Sequence, residues 1–238
     1  IGSGLGAPRT YIFRAADTLR ELTGIGFARA ENLTDGTQNS DVFVEVSGIL
    51  KALAATLLKI CGDLRLLSSG PEAGLGEIEL PRVQAGSSIM PGKVNPVIPE
   101  AVTQAALLVM GNDGVIGQAA GLGSLELNPF LPLIAHTLLQ NLDLLIRSCR
   151  MLTSRCVEGI EVREEVCRLQ VKNSTAAATA FVEALGYEKV SALKVRSQEE
   201  HRSLPEVIEE SGELTRKEIE ELLSPEAVCR LGSPPKKP

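Results

Sequence analysis

Tryptophan is absent from this 238-residue chain, and with two tyrosines and five phenylalanines the aromatic share is only 3%. A core built on large rings is therefore excluded. Leu, Ala, Val and Ile must supply the packing, which favours interlocking helices over a sheet sandwich. No apolar run approaches the roughly 20 residues that a transmembrane helix needs, and no charged-then-apolar signal segment opens the chain. A basic excess is missing too: 24 Lys and Arg stand against 30 Asp and Glu, a net charge of −6. That balance argues against a nucleic-acid-binding face, which shows a basic stripe. The five cysteines are odd in number and, with only two histidines in the chain, no C-x-x-C pair or His-rich cluster accompanies them. A secreted disulfide framework and a zinc site are both disfavoured. Cys61, Cys149 and Cys156 fall in apolar helical patterns and read as small buried hydrophobes, so the expected compartment is reducing, hence cytoplasmic. The chain also opens at Ile1 without an initiator Met, which we read as processing or as a piece of something longer.

What is present is a globular balance, 44% hydrophobic and 23% charged. The length suits one large domain or one and a half. The clearest element spans Val42 to Leu67. Val42, Val46, Ile49, Leu50, Leu53, Leu57, Ile60, Cys61, Leu64 and Leu67 recur at spacings of three and four, one stripe of a long helix with Asp41 as N-cap and Gly70-Pro71 as stop. A second helical pattern runs from about Pro99 to Ile116. A third runs from Asn128 to Cys156, with Pro129 and Pro132 near its start and Gly159 after its end. Helices this long need long partners, so the expectation is an all-α fold: an elongated long-helix bundle over residues 1–158, extended by other subunits. Residues 159–238 form the expected small helical C-terminal domain. Asn173 or Ser174 caps a helix through Ala176, Phe181 and Leu185 to Gly186. Ser203-Leu204-Pro205 starts another, and Thr215-Arg216-Lys217-Glu218 is a capping box opening a helix through Leu223. The tail from Gly232 to Pro238 is expected to be disordered. No strand pattern competes.

Between the first two long helices, over about 70–97, lies a Gly/Pro-punctuated connection containing Gly86-Ser87-Ser88-Ile89-Met90-Pro91-Gly92-Lys93-Val94-Asn95-Pro96. A connection of this length is functional or disordered. Its two hydroxyls, one ammonium and one carboxamide run into a helix N-terminus, where free N–H groups and the dipole favour an anion such as a carboxylate. The same cation and amides can stabilise an ionised Ser oxygen. Gathering charge at a carboxylate while a proton leaves the neighbouring carbon suits an elimination. The alternative is a surface loop whose Ser residues only cap the next helix, and composition leaves both open.

The segment from Gly86 to Pro96 resembles the signature of the aspartase/fumarase superfamily. Leu66-Leu67-Ser68-Ser69-Gly70-Pro71 before it and Leu125-Glu126-Leu127-Asn128 after it agree. Asn95-Pro96-Val97-Ile98-Pro99-Glu100 is closer to the aspartate ammonia-lyase branch than to the fumarate hydratase branch, which carries Thr-Gln-Cys between Pro and Glu. Thr37-Gln38-Asn39-Ser40-Asp41 points the same way. The resemblance implies elimination of ammonia from L-aspartate to give fumarate, with no metal and no organic cofactor. It makes Ser87 the catalytic base. It gives Ser88, Lys93 and Asn95 to the dicarboxylate substrate and its enediolate-like intermediate, and Met90 to the pocket wall. Glu100 would orient a His that, like the family's other conserved segments, lies before this chain begins. His136 is expected to pack within its helix and His201 to be solvated in its charged cluster. The family's homotetramer draws each active site from three subunits, so the 238-residue chain alone is expected to be nearly inactive. The competing readings are fumarate hydratase and a non-catalytic helical assembly protein of the same fold, with neither nucleic acid nor membrane as partner. A contact or regulatory surface over Lys172 to Arg196 is the lesser reading there beside a solvated helical face.

Overall fold

The computed structural model describes residues 1–70, 73–90, 93–174 and 177–232. Pro71 of the expected helix stop, Pro91 and Gly92 of the signature, Ala176 and the tail from Ser233 onward lie outside the described residues. The chain divides into two compact units, Ile1–Leu75 with Leu80–Glu161 and Gly76–Glu79 with Val162–Pro238.

The first unit is helical, as the aliphatic composition requires. It contains α1 (Arg9–Thr23), the short α2 (Asp35–Gln38) and three long helices, α3 (Asp41–Leu67), α4 (Val97–Gly121) and α5 (Leu131–Arg155). Helix α4 packs along both α3 and α5, which touch each other only slightly. The α4 pattern outruns the expected end at Ile116, because Ala119 beyond it is still buried between helices. Helix α5 starts three residues later than expected. Asn128 spends its side chain on neighbouring backbone instead of opening the helix, and Pro132 occupies the first turn, where its missing N–H costs nothing. Asp41 is the first helical residue and Ser40 the N-cap, which corrects the expected cap. The Ser40 hydroxyl accepts from the Asn128 amide, while the Asp41 carboxylate sits in the first turn facing the helix dipole. Helix α1 is not among the expected elements; Ile12, Ala15, Leu19 and Leu22 recur along one of its faces, yet none of its residues is buried in this chain.

The apolar stripe of α3 is resolved differently from its sequence reading. The buried residues are Ser47, Ala54, Leu57 and Cys61. Val42, Val46, Ile49, Leu53 and Ile60 stand exposed in this chain. Small and polar side chains let α3 approach α4 closely, so the larger aliphatic residues turn to the opposite face. Polar ties fix the register of this close packing. Ser47 Oγ donates to Asp113 at 2.7 Å and Lys51 Nζ at 3.0 Å, joining α3 to α4. Asn112 donates to Asn141 at 2.7 Å, joining α4 to α5. Burial alone would raise the Asp113 pKa, but the Ser47 and Lys51 hydrogen bonds outweigh it and hold the carboxyl below its ordinary value.

All five thiols are free, with Cys61 and Cys156 buried. Burial, then the neighbouring Cys156, pushes the Cys61 thiol up to about 11, so it packs as a small hydrophobe rather than reacting as a thiolate. The stretch ends in a 3-10 turn, Val157–Gly159.

Two-residue strands, β1 (Ile78–Glu79) and β2 (Glu161–Val162), the latter at the boundary where the second unit resumes, pair into a minimal sheet. These strands correct the expectation of none; two residues are too few to show an alternating pattern. Arg163 N–H donates to Glu77 O at 2.9 Å, and its guanidinium pairs with Glu79. Helices α6 (Glu164–Asn173), α7 (Ala178–Leu185), α8 (Tyr187–Glu199), α9 (Leu204–Glu210), α10 (Arg216–Leu222) and α11 (Pro225–Val228) follow. Asn173 and Ser174 do not cap α7: they end α6, and Ala177 is the cap residue of α7. Helix α6 is not among the expected elements, and none of its residues is buried. Gly186, with φ of +82°, makes the break between α7 and α8. The expected capping box opens α10: Thr215 Oγ1 accepts from Glu218 N–H, and Glu218 accepts from Thr215 N–H. Ala178, Phe181, Val190, Leu204, Ile208 and Ile219 form the core of this unit.

Candidate functional site

The signature segment doubles back on itself. Gly86 N–H donates to Lys93 O at 3.1 Å, and the Asn95 side-chain amide donates to Gly86 O, also at 3.1 Å. Lys93 N–H reaches Met90 O at 3.3 Å. A Cβ on residue 86 would overlap the Lys93 carbonyl, so the clasp can close only on glycine.

The clasp presents Ser87 just inside its closure. Ser87 Oγ accepts from the N–H groups of Ile89 at 3.2 Å and Met90 at 3.1 Å, a serine turn with both donors aimed at one oxygen. Ser87 and Asn95 are half-buried, while Ser88, Met90 and Lys93 are exposed. Asn95 O accepts from Val97 N–H at 2.9 Å as the chain enters α4, and Glu100 lies half-buried in the first turn of that helix. The structure thus brings Ser87, Lys93 and Asn95 together through the Gly86 clasp. Ser88 and Met90 stand on its open arm, and Glu100 stands apart on α4.

Chemically, an alcohol oxygen that receives two N–H donors is one whose anionic form is favoured, because donors to a charged oxygen strengthen as charge develops. Lys93, on the same loop, carries an exposed cationic side chain. Nothing in the sequence pattern announces this arrangement beyond the adjacency of glycine and serine; the clasp depends on residues seven and nine positions further on.

A second polar centre joins two segments singled out in the sequence without being expected to meet. The buried Asn128 side chain donates to Ser40 Oγ at 3.3 Å and to the carbonyls of Ala119 and Ala120 at 3.1 and 3.2 Å. Its Oδ1 accepts from Phe130 N–H at 2.9 Å, and its own N–H reaches Thr37 O at 3.4 Å. One amide thereby ties the end of α4, the start of α5 and the entrance to α3. Of the histidines, His136 is exposed on α5 rather than packed, since the buried stripe of that helix runs through Ile134, Thr137, Asn141 and Leu145 and turns residue 136 outward. His201 is exposed, as expected, but in a left-handed backbone conformation. Among the described residues no cluster of three His, Cys, Asp or Glu side chains is placed to hold a metal ion.

The lyase family profile matches residues 1–111, and that of the fumarase C C-terminus matches residues 178–230. Aspartate ammonia-lyase from Helicobacter pylori is 44% identical over 95% of this chain and 48% of its own length. The cobalt-bound structure of fumarate lyase:delta crystallin from Brucella melitensis superposes with a TM-score of 0.85 at 43% identity, over 91% of this chain and 47% of that one. A class II fumarase from Schistosoma mansoni gives a TM-score of 0.74 at 32% identity, over 91% of this chain and 47% of that one. The chain spans about half the length of the curated relatives it matches.

Proposed function

Since the chain belongs to the aspartase/fumarase superfamily, we propose that the whole protein is an aspartate ammonia-lyase with Ser87 as its base. The carrying observation is the pair of N–H groups converging on Ser87 Oγ inside the Gly86 clasp. As an alkoxide, Ser87 takes a proton from the carbon beside one substrate carboxylate. The electron pair left behind spreads into that carboxylate as a doubly negative enediolate. Its collapse breaks the carbon–nitrogen bond on the neighbouring carbon, releasing ammonia and leaving the double bond of fumarate. Lys93 offsets the enediolate charge, and Ser88 donates to a carboxylate. Asn95 keeps one amide hydrogen on Gly86 and offers the other to substrate. Met90 walls the pocket, and Glu100 orients a partner group. The aliphatic residues standing exposed on α3, α4 and α5, among them Ile49, Leu108 and Leu139, support a homotetramer in which other copies cover them. Free, buried thiols support a cytoplasmic setting.

The test is steady-state turnover of L-aspartate and of malate by the whole protein and its Ser87→Ala variant. Aspartate turnover falling by about 10²–10⁴-fold in the variant, the usual worth of a positioned base, is the expected result. Turnover of malate alone would move the reading to fumarate hydratase, which the likeness to the class II fumarase keeps in view. Turnover of neither would make the chain part of a non-catalytic assembly.

A further inference from the structure

The second unit holds a cleft of about 470 Å³ that the reaction above does not use. Among its walls are Lys194, His201, Arg202, Asn173, Gln198 and Ser197, and no Asp or Glu among the described residues lines it, although the chain as a whole carries a net charge of −6. Pockets of this size suit small organic ligands.

The local chain geometry explains why the cationic groups gather there. At the end of α8 the chain reverses through a two-bond closure: Arg202 N–H donates to Ser197 O at 3.0 Å and His201 N–H to Gln198 O at 3.3 Å. That closure requires a left-handed residue, and His201 supplies it with φ of +51°, where glycine is ordinarily found. The buried Ser197 hydroxyl secures the turn by donating to Arg202 O at 2.6 Å. The turn places His201 and Arg202 on the cleft wall. Glu200 and Glu210 both bond the Arg202 guanidinium and Arg196, which fixes the guanidinium in place. Lys194, half-buried one turn earlier on α8, has no carboxylate partner among the described residues. Lys172 and Lys189 of the same unit are taken by Glu206 and Glu213. Beside an imidazole, two carboxamides and a guanidinium already paired with Glu200 and Glu210, the half-buried Lys194 ammonium is the cleft's cation that lacks a carboxylate among the described residues.

We propose that this cleft binds a small, multiply charged oxyanion, with Lys194 as its principal charge partner and Arg202 and His201 as hydrogen-bond donors on the rim. The chemistry is shared by free phosphate and by a small dicarboxylate, and the experiment separates them. Calorimetric titration of the 238-residue chain with inorganic phosphate, and separately with succinate, is expected to show one saturable site for at least one of the two. Lys194→Gln should weaken it by about tenfold or more, the worth of a charge-assisted contact. His201→Gly keeps the backbone conformation and should weaken binding less, whereas Lys172→Gln should leave it unchanged. Amide chemical-shift changes in the unmodified chain should centre on residues 194–203, a readout that does not depend on how any variant folds. Saturable binding by neither anion overturns the proposal. So does an affinity that survives Lys194→Gln, which would place the anion elsewhere, for instance at Lys93.

Discussion

Glu206 holds two partners at the head of α9. Its carboxylate accepts from Ser203 N–H at 3.2 Å, and Lys172 Nζ reaches it at 2.7 Å from α6. Lys172 first, then the Ser203 hydroxyl and N–H, holds the carboxyl well below its ordinary 4.5, at about 2. A depressed folded-state value stabilises the fold at pH above 4.5, and that contribution disappears as pH falls from there to about 2. Both side chains are partly exposed, so solvent screening limits the pair to about 1 kcal/mol or less. Glu206→Gln keeps an acceptor for the Ser203 N–H but loses the charge. Urea unfolding should therefore show the variant less stable than the parent by up to about 1 kcal/mol at neutral pH. The difference should vanish near pH 2; a constant difference across that window would put the effect in the cap rather than the ion pair. The short-range cap at Thr215 and Glu218 was legible in the sequence because its partners are three residues apart. The Lys172–Glu206 pair, thirty-four positions apart, was not, because only the folded chain sets that distance.

Among the elements, the three long helices were readable from their periodicity and their punctuation. Which face each would bury was not. Periodicity says that an apolar stripe exists, not whether its partner lies within the same chain. On α3 the close contact went to Ser47 and Ala54, residues too small or too polar to dominate a hydrophobic pattern. The candidate loop shows the same division. The residue types around Ser87 were plain in the sequence, but the clasp that aims two N–H groups at its oxygen depends on a backbone path that no spacing rule encodes. Asn128 is the clearest case of a joint that only the structure reveals. Replacing it with Ala would leave the Ala120 carbonyl and the Phe130 N–H without this partner at a part-buried place, and the Ala119 carbonyl with the Leu122 N–H at 3.4 Å in its stead. The expected cost is roughly 3 kcal/mol, from about 1–3 kcal/mol for each group left unpaired and partly rehydrated. Chemical denaturation should show that loss in the first unit, and a change below about 0.5 kcal/mol would mean the joint is not structural.

Each unit has a hydrophobic core among its described residues. Ile116, Ala119 and Ile134 belong to one, and Phe181 with Val190, Leu204, Ile208 and Ile219 to the other. Units with their own cores need not unfold together. Phe181 is fully enclosed, so Phe181→Ala should cost about 3–5 kcal/mol in the second unit. In calorimetry one transition should move down by many degrees while the other stays within about a degree of its place. A shift of both transitions together would show the cores to be energetically one. The sequence made both helical regions visible, since the helical patterns become short beyond Gly159. It did not show that Gly76–Glu79, far upstream, is folded with the later residues.

That small upstream piece bears on heredity and engineering. A stretch of chain that donates a strand residue, a carbonyl and a carboxylate to a unit encoded more than eighty residues later cannot be inherited with that unit by a single crossover. Cutting the gene after Glu161 would leave the Glu77 carbonyl and the Glu79 carboxylate on the wrong side of the join, and Arg163 would lose the acceptor for its N–H and its ion partner in one step. The last unit is therefore not a detachable cassette: exchange with a relative would have to carry both pieces or rebuild the seam between them.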